Sequence, residues 1–211
     1  MKNSIYNKVY IYNKVKSMVG IAMLLLCSCD AENSISTKYP CQFIFRTNLH
    51  PGTSIETALN NAGSYTMVSA ENKNGAWHIY STPNDGKNHT DEYTLTTSKE
   101  NYANYNYLGA GNDPKDVTKN GFILGRSIYD GVDGKLPYRA WDRQCLNCIN
   151  QYGGRNYPLE WYGNRQEVKC SKCKRTYSLD TGAITGGTKG EPLMRYNVSY
   201  SGIGSTLTVG N

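Results

Sequence analysis

The chain has 211 residues, 38% of them hydrophobic and 19% charged, with 18 Tyr, 21 Gly and only 3 Phe. That size suits one compact domain with at most an appended subdomain, and a composition weighted to Tyr disfavours a bundle of long helices and favours β structure. The formal net charge of +6 invites a nucleic-acid reading, but Lys2, Lys8, Lys14 and Lys16 lie in an acid-free stretch, residues 1–28; the rest carries 19 basic against 17 acidic side chains, and nucleic acid loses its main warrant as a partner.

The chain opens on a polar, basic segment through Lys16, followed by Met18-Val-Gly-Ile-Ala-Met-Leu-Leu-Leu26, nine residues without charge. A basic region, a short apolar region and then small residues make a secretory signal, expected over residues 1–28. As a helix, nine residues reach about 14 Å, half of a bilayer core, which is too short for a stable span. Leu26-Cys27-Ser28-Cys29 resembles a bacterial lipobox, with Leu at −3, Ser at −1 and Cys29 as the acceptor. The resemblance implies that Cys29 is lipidated and becomes the first residue of an exported, membrane-anchored protein; several acyl chains at one residue anchor stably. Residues 29–38 then read as a polar tether, and 39–211 as a single β domain.

Cys41, Phe43 and Phe45 alternate as on a half-buried strand. Ser54-Ile-Glu-Thr-Ala-Leu59 is the one short helix expected, capped by Thr53 or Ser54. Tyr65–Ser69 and Trp77–Tyr80 read as strands around an Asn/Gly turn, and Tyr93–Thr96 as a strand piece within the loop-rich stretch 81–119. Phe122-Ile-Leu-Gly-Arg-Ser127 has the look of a fully buried strand, Asp130–Gly134 of a turn, and Tyr138-Arg-Ala-Trp141 of a strand leading to the first cysteine pair. Met194–Tyr200 and Thr206–Val209 make a closing hairpin. Many short strands joined by turns point to an antiparallel barrel or sandwich.

Cys145-Leu-Asn-Cys148 and Cys170-Ser-Lys-Cys173 carry the chemistry. Two intervening residues turn both sulfurs of a pair toward one ion, with N–H groups of the turn donating to the thiolates; two such loops complete a closed tetrahedral site of zinc-ribbon character. Gly153, Gly154, Pro158 and Gly163 suggest that the interval between the pairs is a loop. Disulfides are an alternative in an oxidising compartment, best formed between the loops rather than within them. A redox-active C-x-x-C is another, but it wants its first cysteine at a helix N-terminus inside an α/β unit, and neither pair is expected there. Metal is favoured, because two matched pairs rarely arise by accident. Lys169, Lys172, Lys174, Arg175 and Arg143 are available to offset the thiolate charge.

Cys170-Ser-Lys-Cys173-Lys-Arg-Thr-Tyr177-Ser-Leu179-Asp-Thr181-Gly182 resembles the second cluster loop of Rieske iron–sulfur domains. Gly121-Phe-Ile-Leu-Gly-Arg and Tyr138-Arg-Ala-Trp141-Asp-Arg-Gln-Cys145 are similar to the strand–turn–strand that delivers the first loop. Pro192-Leu-Met-Arg-Tyr-Asn-Val198 is similar to the closing strand. The resemblance covers about residues 120–211 and implies a Rieske-like antiparallel barrel or sandwich with a two-loop subdomain at about 143–182. It departs from the family where function is decided. Cys148 and Cys173 stand in place of the two histidines that raise the potential of such centres, Lys174 stands in place of a glycine, and His50, His78 and His89 all lie far upstream.

Four cysteines fit either a structural zinc or an all-cysteine [2Fe–2S] cluster. Both leave a formal charge near −2, so charge does not separate them; zinc is favoured as the commoner occupant of paired knuckles. The expected protein is a non-enzymatic envelope lipoprotein with a zinc-stapled, Rieske-like domain. The alternative is an electron-transfer protein using the same cysteines. No carboxylate pair suggests acid–base catalysis, Trp141, Trp161, Tyr138, Tyr157 and Tyr162 are expected to shield the metal loops, and Cys41 reads as a buried lone thiol.

Overall fold

A computed structural model describes residues 35, 37–95, 100, 105–111 and 120–211. The expected signal, Cys29 and most of the tether lie outside the described residues. Those described between 35 and 211 belong to one compact unit. It is mainly β, with a large curled antiparallel sheet and a smaller four-stranded one.

The large sheet is assembled from β1 (Gln42–Arg46), β2 (Tyr65–Lys73), β3 (Ala76–Pro83), β4 (Asp91–Leu95), β5 (Phe122–Arg126), β6 (Tyr138–Asp142), β11 (Arg195–Ser199) and β12 (Thr206–Gly210). Its strand order is β1-β12-β11-β6-β5-β2-β3-β4. Helix α1 (Ser54–Asn60) lies beside β2 and β5 and begins where the sequence places it. Thr53 accepts the Glu56 N–H through its side chain, and the Glu56 carboxylate reaches back to the Gly52 N–H at 2.7 Å. This reciprocal satisfaction of free donors fixes a helix start. The β2–β3 connection turns at Asn74 (φ 53°) and Gly75 (φ 85°), both left-handed as a two-residue hairpin turn requires.

Two apolar cores explain the strand patterns. All three phenylalanines meet in the first, where Phe43 lies 5.9 Å from Phe45 and 5.1 Å from Phe122 between ring centroids. Val68, Ala70, Leu124 and Ala140 belong to this core, whereas Tyr65, Met67, Ile123 and Trp141 turn to the second. β2, β5 and β6 are therefore covered on both faces. That is why Phe122-Ile-Leu124 is a continuous apolar run instead of an alternating one.

The second core exists because of an insertion. β6 and β11 are neighbours, pairing Trp141 with Arg195 and Ala140 with Tyr196, yet residues 143–194 lie between them in sequence. The inserted chain forms helix α2 (Leu146–Tyr152) and the sheet β10-β9-β8-β7, built from β7 (Leu159–Tyr162), β8 (Glu167–Cys170), β9 (Thr176–Ser178) and β10 (Ile184–Gly186). The Asp142 N–H donates to Met194 O at 2.8 Å, closing the base of the insertion.

Two expectations are corrected here. α1 is not the one helix, because α2 starts directly after Cys145, and the interval between the cysteine pairs is not a loop but carries α2 and the β7–β8 hairpin. Cys145 is thus at a helix N-terminus after all, although the surrounding structure is antiparallel β, not an α/β unit. At the other end of the chain, Ile35 forms a parallel bridge to Arg195 and the Lys38 ammonium donates to Asn150 Oδ1 at 2.7 Å. These residues of the expected tether lie against the domain.

Candidate metal centre

The four cysteines come from two knuckles. Cys145 is the N-cap of α2, and Cys148 occupies its first turn. Cys170 ends β8, and the chain turns back at once, with the Lys174 N–H donating to Cys170 O at 2.9 Å and the Cys170 N–H to Arg175 O at 3.0 Å. The Cys148 N–H donates to Cys145 O at 3.1 Å and also favours the Cys145 thiolate, as the N–H groups of Lys172 and Cys173 favour that of Cys170. Each knuckle therefore supplies backbone donors to its leading thiolate, as the spacing predicts.

Lys174 closes the second knuckle with φ 64°, a left-handed conformation that an L side chain adopts at a cost. Replacing Lys174 by Gly is expected to stabilise the metal-loaded protein by about 0.5–1 kcal/mol, less than the relieved strain because glycine also loosens the unfolded chain. Denaturant unfolding of the two proteins checks this.

All four sulfurs lie within 4.8 Å of one another, close enough to hold one metal ion. Two separations across the knuckles, Cys145 to Cys173 and Cys148 to Cys170, are both 3.6 Å. That is well beyond a disulfide bond of about 2.05 Å. Cys145, Cys148 and Cys170 are buried; only Cys173 is partly open. The enclosing wall is apolar and includes Trp141, Leu159, Val168, Leu179 and Leu193.

The thiols are electrically unequal. Cys170 is lowered to about 5, first by a hydrogen bond from Cys145 and then by the backbone donors, against the effect of burial. Cys145 is raised by its hydrogen bond to Cys170 and by burial. Cys148 is pushed up to about 12 by burial and by the neighbouring sulfurs. Of these three, Cys170 is the readiest to carry the thiolate. Metal binding must expel the remaining protons and is favoured by alkaline conditions.

A second layer of contacts fixes the sulfurs. The Tyr177 hydroxyl lies 3.4 Å from the Cys145 sulfur and accepts a hydrogen bond from Asn147 Nδ2 at 3.0 Å, leaving its own proton for sulfur. Asn147 also bridges to Glu191, donating to its O at 2.8 Å and accepting its N–H at 2.9 Å. Sequence reasoning gave Asn147 no role; its position between the two cysteines of the first pair was the available signal. Of the cations expected to offset thiolate charge, Arg175 is bound to the Cys173 sulfur and is itself held more firmly protonated by it. Lys169 and Lys172 instead lie over the Tyr162 and Tyr152 rings, at 4.6 and 4.9 Å from their centroids.

The site is docked onto the large sheet by hydrogen bonds to Leu179 and Asp180. Trp141 Nε1 donates to Leu179 O at 2.7 Å, Arg139 Nε to Asp180 O at 2.9 Å, and the Tyr65 hydroxyl to Asp180 Oδ1 at 3.0 Å. Gly182 lets the Trp141 ring approach, since a Cβ there would lie 2.8 Å from it, and its φ of 74° also favours glycine. Of the other aromatics expected to shield the loops, Tyr157 and Trp161 pack on this core, Tyr138 on the other, and Tyr162 is exposed.

The histidines pair with carboxylates instead. His50 meets Glu100 at 2.7 Å and His78 meets Glu92 at 2.7 Å, while His89 lies between Asp85 and Asp91 at 3.7 and 3.6 Å. Cys41 is buried, and burial together with Asp142 raises its thiol well above the ordinary range. Compared with protein families, curated proteins and solved structures, the chain matched none.

Proposed function

We propose that Cys145, Cys148, Cys170 and Cys173 hold one structural zinc that staples the insertion of a Rieske-like β domain, in a non-enzymatic lipoprotein anchored to the bacterial envelope through Cys29. The observation that carries the zinc is the compactness of the sulfur group. Four thiolates at about 2.3 Å from one ion stand about 3.8 Å apart along the edges of a tetrahedron, close to the 3.6 Å of the two cross-knuckle pairs. A [2Fe–2S] cluster, by contrast, divides its four thiolates between two irons. Thiolates on the same iron stand one tetrahedron edge apart, but those on different irons are held further apart than the 4.8 Å that spans all four sulfurs here. Metal analysis and the visible spectrum of anaerobically purified protein test the assignment. A colourless protein with one zinc per chain is expected; iron with visible absorption would replace this reading by electron transfer.

The anchor rests on the basic, apolar and cysteine parts of the leader taken together. Among the described residues no helix is long and apolar enough to cross a membrane. Cys29→Ser is therefore expected to move the protein from the membrane pellet to a soluble exported fraction. Retention of the variant in salt-washed membranes would sink the lipoprotein assignment.

A further inference from the structure

Away from the cysteines, a groove of about 670 Å³ opens on the outer face of β11, β12 and β1. Strand register builds it. Asn197, Gly210 and Gln42 form one row across the three strands, and Ser199, Thr208 and Ile44 form the next. The alternate residues Phe43 and Val209 are turned into the core. Gly210 leaves the middle of its row without a side chain, where a Cβ would lie 2.8 Å from Cys41 O. Exposed Tyr107 stands at its edge, fixed by the Gln42 N–H donating to Tyr107 O at 2.7 Å.

The lining has a definite chemistry. It contains no Asp, Glu, Lys, Arg or His. Among the described residues, the side chains of Gln42, Asn197, Ser199 and Thr208 have no partner within the protein. Amides and hydroxyls both donate and accept, which is what a ring of sugar hydroxyls demands. The Tyr107 ring and the Ile44 side chain supply the apolar surface on which the C–H face of a sugar packs, while a phenolic hydroxyl stays available to its edge. The volume is that of an ordinary ligand cleft, enough for several sugar units. An anionic or cationic ligand would find no counter-charge among these lining side chains.

We propose that this groove binds a neutral oligosaccharide, with Gln42, Asn197, Ser199 and Thr208 hydrogen-bonding its hydroxyls and Tyr107 packing on a ring face. The proposal is independent of the metal and of the anchor. The test is titration of the zinc-loaded protein with maltohexaose, cellohexaose, laminarihexaose and chitohexaose, followed by amide chemical shifts, with a heparin hexasaccharide and an extended neutral hexapeptide in parallel. Saturable shifts along β1, β11 and β12 with at least one neutral sugar, and none with heparin, are expected. Asn197→Ala and Gln42→Ala, both at exposed positions, should each weaken binding about five- to tenfold with thermal unfolding unchanged. The proposal fails if no neutral sugar gives saturable shifts, if the shifts fall elsewhere, or if both variants bind like the parent. Binding of the peptide instead of any sugar would also overturn it and make the groove a strand-docking edge.

Discussion

Stripping the metal under reducing conditions is expected to loosen residues 143–182 while the large sheet stays folded. The inserted segment has α2 and four short strands, and the cysteine sulfurs lie inside its apolar core alongside Leu159, Val168 and Leu179. Remove the ion and mutually repelling or newly protonated thiols are left where a packed centre stood. Binding energy at such sites is folding energy, about 10–16 kcal/mol in isolated zinc-finger peptides, and here it falls on a segment whose core includes Cys145, Cys148 and Cys170, although that segment also packs on Met67, Ile123 and Trp141 and is tied to the rest through Leu179, Asp180, Arg165 and Gln166. The large sheet has its own core around Phe43, Phe45 and Phe122, which contains none of the four clustered cysteines. Hydrogen exchange with and without chelator should therefore show protection lost from α2 and β7–β9 first, with β2, β3 and β12 retained. Cys148→Ser and Cys173→Ser should give nearly the same pattern, each lowering metal affinity more than about 100-fold, beyond the usual effect of losing a supporting contact. Cys148 is buried and Cys173 partly open, so equality between them reports a shared ion, not burial. Even loss of protection over the whole domain, or none in 143–182, would refute a local staple. Thiol titration has to accompany the exchange, because cross-knuckle disulfides at the two 3.6 Å pairs would also retain protection.

Local signals in the sequence located the strands of the large sheet and the cysteine pairs; the small sheet and long-range pairing were out of its reach. Cys41, Phe43 and Phe45 alternate because one face of β1 is buried, and Thr53 with Glu56 marks a helix start whatever surrounds it. The cysteine spacing was legible for the same reason, since a knuckle is a local turn. α2 was not. Leu146-Asn-Cys-Ile-Asn-Gln-Tyr contains two asparagines, which are poor helix formers, and it is held instead by burial of Cys148 and Ile149 and by contacts of Asn147 and Asn150 made far along the chain. Gly153, Gly154 and Gly163 read as a loop because each marks a turn, one closing α2 and one opening the β7–β8 connection, while the strands between turns are only four residues long. That β6 and β11 are neighbours across more than fifty residues has no local signature at all. The second core follows from that adjacency, and with it the reason Met67, Ile123 and Trp141 are apolar on the face turned away from Phe43.

Asp142 gives the fold a pH dependence of definite sign. It ends β6, is almost completely buried, and accepts hydrogen bonds from the Tyr196 hydroxyl, the Ala110 N–H and the Gln144 N–H, each at 2.6 Å. Burial outweighs these three donors and raises its carboxyl from the ordinary 3.8 to about 6. The folded state therefore holds the proton more tightly than the unfolded chain. Between the two values the native protein binds more protons, so this group's contribution is fully present at low pH and is lost as pH rises through about 6. The span of the shift amounts to about 3 kcal/mol for so buried a group. Asp142→Asn removes the titration while keeping an acceptor for Tyr196 and Ala110, although its amide cannot satisfy all three donors as a carboxylate does. The variant should accordingly be less stable than the parent in acid, and its deficit should shrink by about 2.5 kcal/mol between about pH 4 and pH 7.5. Metal release in acid acts on both proteins alike and cancels in the difference. Urea unfolding of the pair across that range measures it, and a deficit that stays constant or grows with pH would mean that the three donors, not burial, govern Asp142.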